Sequence, residues 1–222
     1  SLPFLGQNAI KPLLEFIQNI NQEYEKITQS VKGESLDFSN MINNLGSQLP
    51  NHITKEKAQE LIQGLVMTNS IVQGGTQVNS VPDFATAEFN VRTIPEYNNN
   101  KVKALFNEYI EQANQNGASL TQELYLDLEP VVTTGQNRLV ELGFDIAKSH
   151  FSNERDLIVT PTVAVTDASN LLKEKDENFP FLMFGPGNGP HQINECVEKA
   201  NYLEFVEYYI EFITSYLNEE NE

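Results

Sequence analysis

Two apolar runs joined by turn residues, with a helical stripe on either side, set the tightest limit on what this chain can fold into. "LVMTNSIVQGG" (65–75) reads as a strand, and "ATAEFNVRTI" (85–94) as another with period-two alternation. "GGTQVNSVPD" (74–83) between them supplies the residues a connection needs. Upstream, Ile10, Leu13, Leu14, Ile17, Ile20, Tyr24 and Ile27 fall on one helical face. Downstream, Val102, Leu105, Phe106, Tyr109, Ile110 and Ala113 form a second stripe, which "NQNG" stops with Gly117 in a C′ place. "SLTQELYLDL" (119–128) carries leucines at 120, 124, 126 and 128, which is again strand grammar. The first half therefore reads α-β-β-α-β. A sheet with two helices on one face usually has a strand before the first helix, and none is legible here.

The polar, Asn-rich stretch 28–52 shows little periodicity and reads as an irregular insertion, followed by a short helix over 54–63. The second half predicts a helix over 137–151, strands at "LIVTPTVAV" (157–165) and "FPFLMFG" (179–185), and a closing helix. The stripe of that last helix is Tyr202, Leu203, Val206, Tyr209, Ile210, Ile213, Tyr216 and Leu217. Such alternation suggests part of an α/β sheet.

Charge narrows the function classes. Thirty-one acids against 14 bases leave a net charge of −17, and no run of Lys and Arg reaches five. That argues against nucleic-acid backbones and anionic membrane surfaces as partners. No apolar run approaches the roughly 18 residues of a bilayer span. The single cysteine, Cys196, excludes an intrachain disulfide and suits a reducing, cytoplasmic setting. The opening "SLPFLGQNAI" has no basic n-region and no signal-like apolar core, and reads as the interior of a longer chain.

Few residues speak for chemistry by themselves. His191, in "GPGNGPHQINECV", stands at a turn before the last helix. Such a histidine is more often structural or superficial than a ligand, although neutral imidazole suits zinc. Zinc asks for three or four protein ligands, and neither an H-E-x-x-H nor a cysteine pair occurs. His52 and His150 take the bland reading. "GPGNGP" lacks the phosphate-loop pattern and reads as a turn. Arg92 either reaches solvent from its strand or grips a carboxylate bidentately. Asn79 is a turn residue or an amide donor, and Thr166 and Asp167 suit a helix cap. Cys196 reads as a small buried hydrophobe. No G-x-S-x-G elbow occurs.

Four segments in order carry more than any one of them: "SLPFLGQNAI", "IVQGGTQVNSVPDFATAEFNVR", "TPTVAVTDASN" and "FGPGNGPHQINECV". Together they resemble the C-terminal half of the zinc-dependent family that includes succinyl-diaminopimelate desuccinylase, acetylornithine deacetylase, aminoacylase and carnosinase-like dipeptidases. The resemblance spans essentially the whole chain. It implies an α/β protein with an α+β lid of β-α-β-β-α-β type lacking its first strand (1–128), followed by the end of the catalytic domain (129–222). It implies that His191 ligates one of two catalytic zincs, that Arg92 grips the substrate carboxylate with Asn79 near it, and that Thr166 lines the substrate site. Val165 and Ser169 replace the Gly and Arg expected in the Thr166 loop, which puts the acyl group in question.

The family's H-x-D motif, bridging Asp, Glu-Glu pair and further acidic ligand are not found in these 222 residues, so no catalytic residue is assigned here. The expectation is a chain that is inactive alone, related to enzymes that cleave small N-acyl amino acids or peptides and homodimerise through the lid. The alternative is a lid-centred interaction fragment with no catalytic role.

Overall fold

The computed structural model describes residues 6–33, 36–46, 49–133, 135–151, 157–162, 166–187 and 193–219. They form two compact units, one comprising 1–131 with 162–173, the other 132–161 with 174–222.

The first unit is built on α1 (Ile10–Ser30), the hairpin β1 (Val66–Gly74) and β2 (Ala85–Arg92), and α4 (Asn99–Gln115). Helix α1 starts where the Asn8 side chain accepts the Ile10 N–H at 2.9 Å, which satisfies an orphan donor of the first turn. Its stripe buries Leu13, Phe16 and Ile20 against Met67, Ala85, Ala87 and Phe89 of the hairpin and Leu105, Phe106, Tyr109 and Ile110 of α4. The strands thus offer helix-facing residues at alternate positions, as period two requires. Phe16, Phe89 and Phe106 meet edge to face at 5.1–6.3 Å. Helix α4 begins where Asn98 accepts the Lys101 N–H at 3.2 Å. It ends as expected at Gly117, φ +92°, where Ala118 N–H donates to Ala113 O and Gly117 N–H to Asn114 O, the paired bonds of a Schellman end.

The β1–β2 register pairs Val66 with Arg92 and Gly74 with Ala85, with a bulge between Asn69 and Ile71. Glycine is required at 74, because a Cβ there would stand 2.9 Å from both Ala85 Cβ and Ile10 Cγ1.

The stretch expected to be an irregular insertion is partly helical. Helix α1 continues to Ser30, and α2 (Ser39–Leu45) follows. The Asp37 carboxylate accepts the Ser39 N–H at 2.8 Å, and Phe38 and Ile42 pack with Ala58 of α3 (Lys55–Ile62) into a small separate core. A seven-residue helix is too short to show periodicity, so this one was hidden among its asparagines.

The expected strand 119–128 pairs with nothing among the described residues. The segment is instead tied by side chains to α4. Asn114 brackets the Leu120 backbone, donating to its O at 3.0 Å and accepting its N–H at 2.7 Å. Gln122 donates to Asn107. Asn99 donates to Leu128 O at 2.9 Å, and Lys103 pairs with Asp127 at 2.9 Å. The α+β class expected for the lid stands, with a sheet of two strands.

In the second unit, α5 (Arg138–Phe151) packs on α7 (Lys199–Glu219) through Ile146, Ala147, Phe151, Phe205, Tyr208 and Phe212, with Leu182 and Phe184 added. The Tyr208 hydroxyl donates to Gly143 O at 3.1 Å, and a Cβ on Gly143 would lie 2.8 Å from Leu182 Cδ2. Burial pushes the Tyr208 phenol up to about 12. The strands expected at 157–165 and 179–185 form no ladder over their described residues. Both are short apolar runs that need a neighbouring strand, and the described residues of this unit offer none. Helix α7 is apolar on two sides. Opposite its core face, Leu203, Val206, Ile210, Ile213 and Leu217 are exposed.

Candidate functional site

The hairpin positions two of the expected residues and holds them apart. Arg92 is the last residue of β2, exposed, opposite Val66. Asn79 is exposed in the turn at the other end. The seven steps from Ala85 to Arg92 alone span about 23 Å at ~3.3 Å each. Asn79 is therefore not near Arg92 within one chain, and one small substrate does not touch both there. Within one chain, the length of β2 lies between the two.

Thr166 is half-buried before the short helix α6 (Ala168–Leu172), in the first unit with Arg92 and Asn79. Its Oγ1 accepts the Ala168 N–H at 3.4 Å and its carbonyl accepts the Ser169 N–H at 3.1 Å, so it starts the helix, the ordinary reading of such a threonine. His191 and Val165 lie outside the described residues. His52 is exposed, while His150 Nε2 meets Glu211 Oε2 at 2.8 Å across α5 and α7. Cys196 is exposed, contrary to the buried hydrophobe expected of it. It precedes α7 instead of lying on that helix's packed face.

Two features escaped the sequence reading. An open groove of about 660 Å³ runs between the start of α1 and the hairpin turn, lined among others by Lys11, Glu15, Gln18, Thr76, Gln77 and Ser80. The i, i+4, i+7 spacing of Lys11, Glu15 and Gln18 was the available signal for a shared polar face. At the opposite end, the turn after β2 closes with the Tyr97 N–H donating to Ile94 O at 2.9 Å. There Glu96 holds a buried Oε2 with no hydrogen-bond partner. A carboxylate oxygen so placed calls for a donor, and nothing in "IPEY" announces it.

Among the described residues, no group of three or more His, Cys, Asp or Glu could hold a metal ion. The described residues therefore do not fit a zinc site, which needs at least three protein donors converging on one point. No helix among them is long and apolar enough to cross a membrane.

A β-hairpin packed against α1 and α4, with an open groove at its turn and an arginine at its far end, is an α+β module. The chain belongs to the M20 peptidase dimerisation-domain family, whose model, described as "Peptidase dimerisation domain", matches residues 1–118. It is 36% identical over 219 residues to a probable succinyl-diaminopimelate desuccinylase of Staphylococcus epidermidis, covering 98% of this chain and 52% of that protein. It is 35% identical over 221 residues to the probable succinyl-diaminopimelate desuccinylase of Staphylococcus aureus, covering 99% and 53%. The chain thus spans about half the length of these curated relatives. An M20 family metallo-carboxypeptidase from Sulfolobus solfataricus shares the fold, with a TM-score of 0.56, 18% identity, and coverage of 86% of this chain and 44% of that one.

Proposed function

We propose that this chain supplies the lid, residues 1–128, and the closing catalytic segment, residues 129–222, of a metal-dependent amidohydrolase. Its substrates are small N-acyl amino acids of the N-succinyl-diaminopimelate kind. The observation that supports the reading is the match of 98–99% of this chain to about half of two probable desuccinylases.

In this reading Arg92 binds a substrate carboxylate through its planar fork, and Asn79, which the length of β2 keeps from the same small substrate within one chain, donates its amide to substrate oxygen across the lid dimer. Thr166 lines the site from the start of α6. His191 would contribute one ligand to a two-zinc centre, which would supply Lewis-acid activation of water and of the amide carbonyl once its other donors are present. The working enzyme is a cytoplasmic homodimer joined through the lid, as the matched dimerisation domain suggests. In this reading the 222 residues alone do not turn over substrate. Turnover needs polypeptide that brings the remaining metal donors and the general base.

The test compares N-succinyl-diaminopimelate hydrolysis with zinc by the chain alone and by the chain fused behind the N-terminal half of the Staphylococcus epidermidis relative. Turnover by the fusion only, abolished by His191→Ala, is the expected result. Equal activity of the unfused chain overturns the reading.

A further inference from the structure

The β1–β2 ladder ends at the pair Val66–Arg92, so the direction of the Arg92 side chain depends on what holds the backbone just beyond it. Side chains alternate between the two faces of a strand. Along β2, Ala85, Ala87 and Phe89 pack toward the helices, whereas Glu88, Asn90 and Arg92 are exposed. Thr93 is next in that alternation and is half-buried. Its hydroxyl donates at 2.6 Å to Asn99 Oδ1, on the first residue of α4. The helix-facing position is thus carried one residue past the ladder, which keeps Arg92 on the opposite face.

The Asn99 amide is fully used. Its nitrogen donates to Asp127 Oδ1 at 2.7 Å and to Leu128 O at 2.9 Å. A backbone carbonyl can only accept, so the amide nitrogen must face Leu128 and its oxygen must face Thr93. Asp127 is held in turn by Lys103 Nζ, which donates to its other oxygen at 2.9 Å. Further along the turn, Lys101 Nζ donates to Glu96 O at 2.7 Å. The chain after Arg92 is therefore braced to α4 at Thr93 and at Glu96, and the Thr93 bond is the one beside the arginine. A valine would fill the same half-buried place, so packing alone does not call for a hydroxyl there. The bond to Asn99 does.

On the reading that Arg92 binds a substrate carboxylate, on which this inference rests, we propose that Thr93, acting through Asn99, is a positioning residue for Arg92. The pair holds the guanidinium on the face away from the helices, in the orientation that meets the carboxylate. A bidentate fork is directional, so a rotation of its backbone loses more binding than a point charge would lose. Neither Thr93 nor Asn99 touches substrate.

Thr93→Val keeps the branching and removes the donor, and Thr93→Ser restores it. In the chain alone, the order parameter of the Arg92 amide from nitrogen-15 relaxation falls in Thr93→Val and matches the parent in Thr93→Ser, with Phe89 unchanged in both. In the fusion with the N-terminal half of the Staphylococcus epidermidis relative, Thr93→Val raises KM for N-succinyl-diaminopimelate by about 3–10-fold with kcat little changed, and Thr93→Ser leaves both as they were. Added to Arg92→Lys, Thr93→Val gives no further rise, because its effect passes through the guanidinium fork. An unchanged Arg92 order parameter in Thr93→Val overturns the proposal whatever the fusion does. So does an additive rise in the double variant, or an equal loss in Thr93→Ser, since both mark general damage to the fold. A KM raised by Arg92→Lys but not by Thr93→Val removes the positioning role alone. A KM untouched by Arg92→Lys overturns the carboxylate reading of Arg92 and this proposal with it.

Discussion

At the scale of single residues, charge and sterics make separable predictions. Glu60 accepts from Lys32 at 2.7 Å and from Lys57 at 2.9 Å, and these two ammonium groups hold its carboxyl down to about 2 from an ordinary 4.5. A carboxyl lowered in the fold adds stability that is fully present above 4.5 and is lost as pH falls toward 2. Glu60→Gln should therefore lower the neutral urea midpoint by a small amount, since the three side chains are exposed, and flatten the acid limb over that window by the same amount. Gly74 answers to volume. Gly74→Val forces a side chain between Ala85 and Ile10 and should cost about 1–3 kcal/mol in urea unfolding. Arg92 tests substrate recognition in the fused enzyme. Arg92→Lys loses the bidentate fork and should raise KM for a carboxylate-bearing substrate by about 10–100-fold with a smaller change in kcat. Equal losses in both parameters would place Arg92 in the transition state instead.

Elements differ in how openly the sequence declares them. Helices α1, α4, α5 and α7 were legible because a helix satisfies its own backbone and its stripe is local, but the face of α7 was misread. Phe205, Tyr208 and Phe212 are buried, while most of the expected stripe, Leu203, Val206, Ile210, Ile213 and Leu217 among it, is exposed. Strands depend on a neighbour. β1 and β2 were legible because each is the other's partner across a turn, whereas "SLTQELYLDL", "LIVTPTVAV" and "FPFLMFG" have strand composition and form no ladder in their described residues. Helix α2 was missed for the opposite reason, being held by the Asp37 cap and the Phe38–Ile42–Ala58 contact without a long stripe. For the candidate site, the sequence supplied only an ordered set of residues to test. Its geometry was not legible, because only the register shows that the length of β2 separates Asn79 from Arg92. Helix α7 gives the element-scale prediction. Phe205 is 2% exposed in the α5 interface and Ile210 is 61% exposed on the opposite face. Phe205→Ala should cost about 3–5 kcal/mol. Ile210→Lys should shift stability by no more than about 0.5 kcal/mol. If both cost the same, something covers the outer face in the isolated chain.

For the whole molecule, the net charge of −17 and the metal-donor deficit among the described residues bear on the same question of what these 222 residues do unaided. Acidic surface draws divalent cations loosely, but a catalytic zinc needs converging ligands. After dialysis against a weak chelator, metal analysis should find well under one zinc per purified chain, and the fusion with the relative's N-terminal half should retain its metal. The decisive measurement is hydrolysis of N-succinyl-diaminopimelate with zinc by that fusion and by the chain alone. The account predicts turnover by the fusion, its loss in His191→Ala, and none by the chain alone. Turnover by the chain alone that survives His191→Ala would contradict it, because the metal donors would then lie among residues to which no such role has been given.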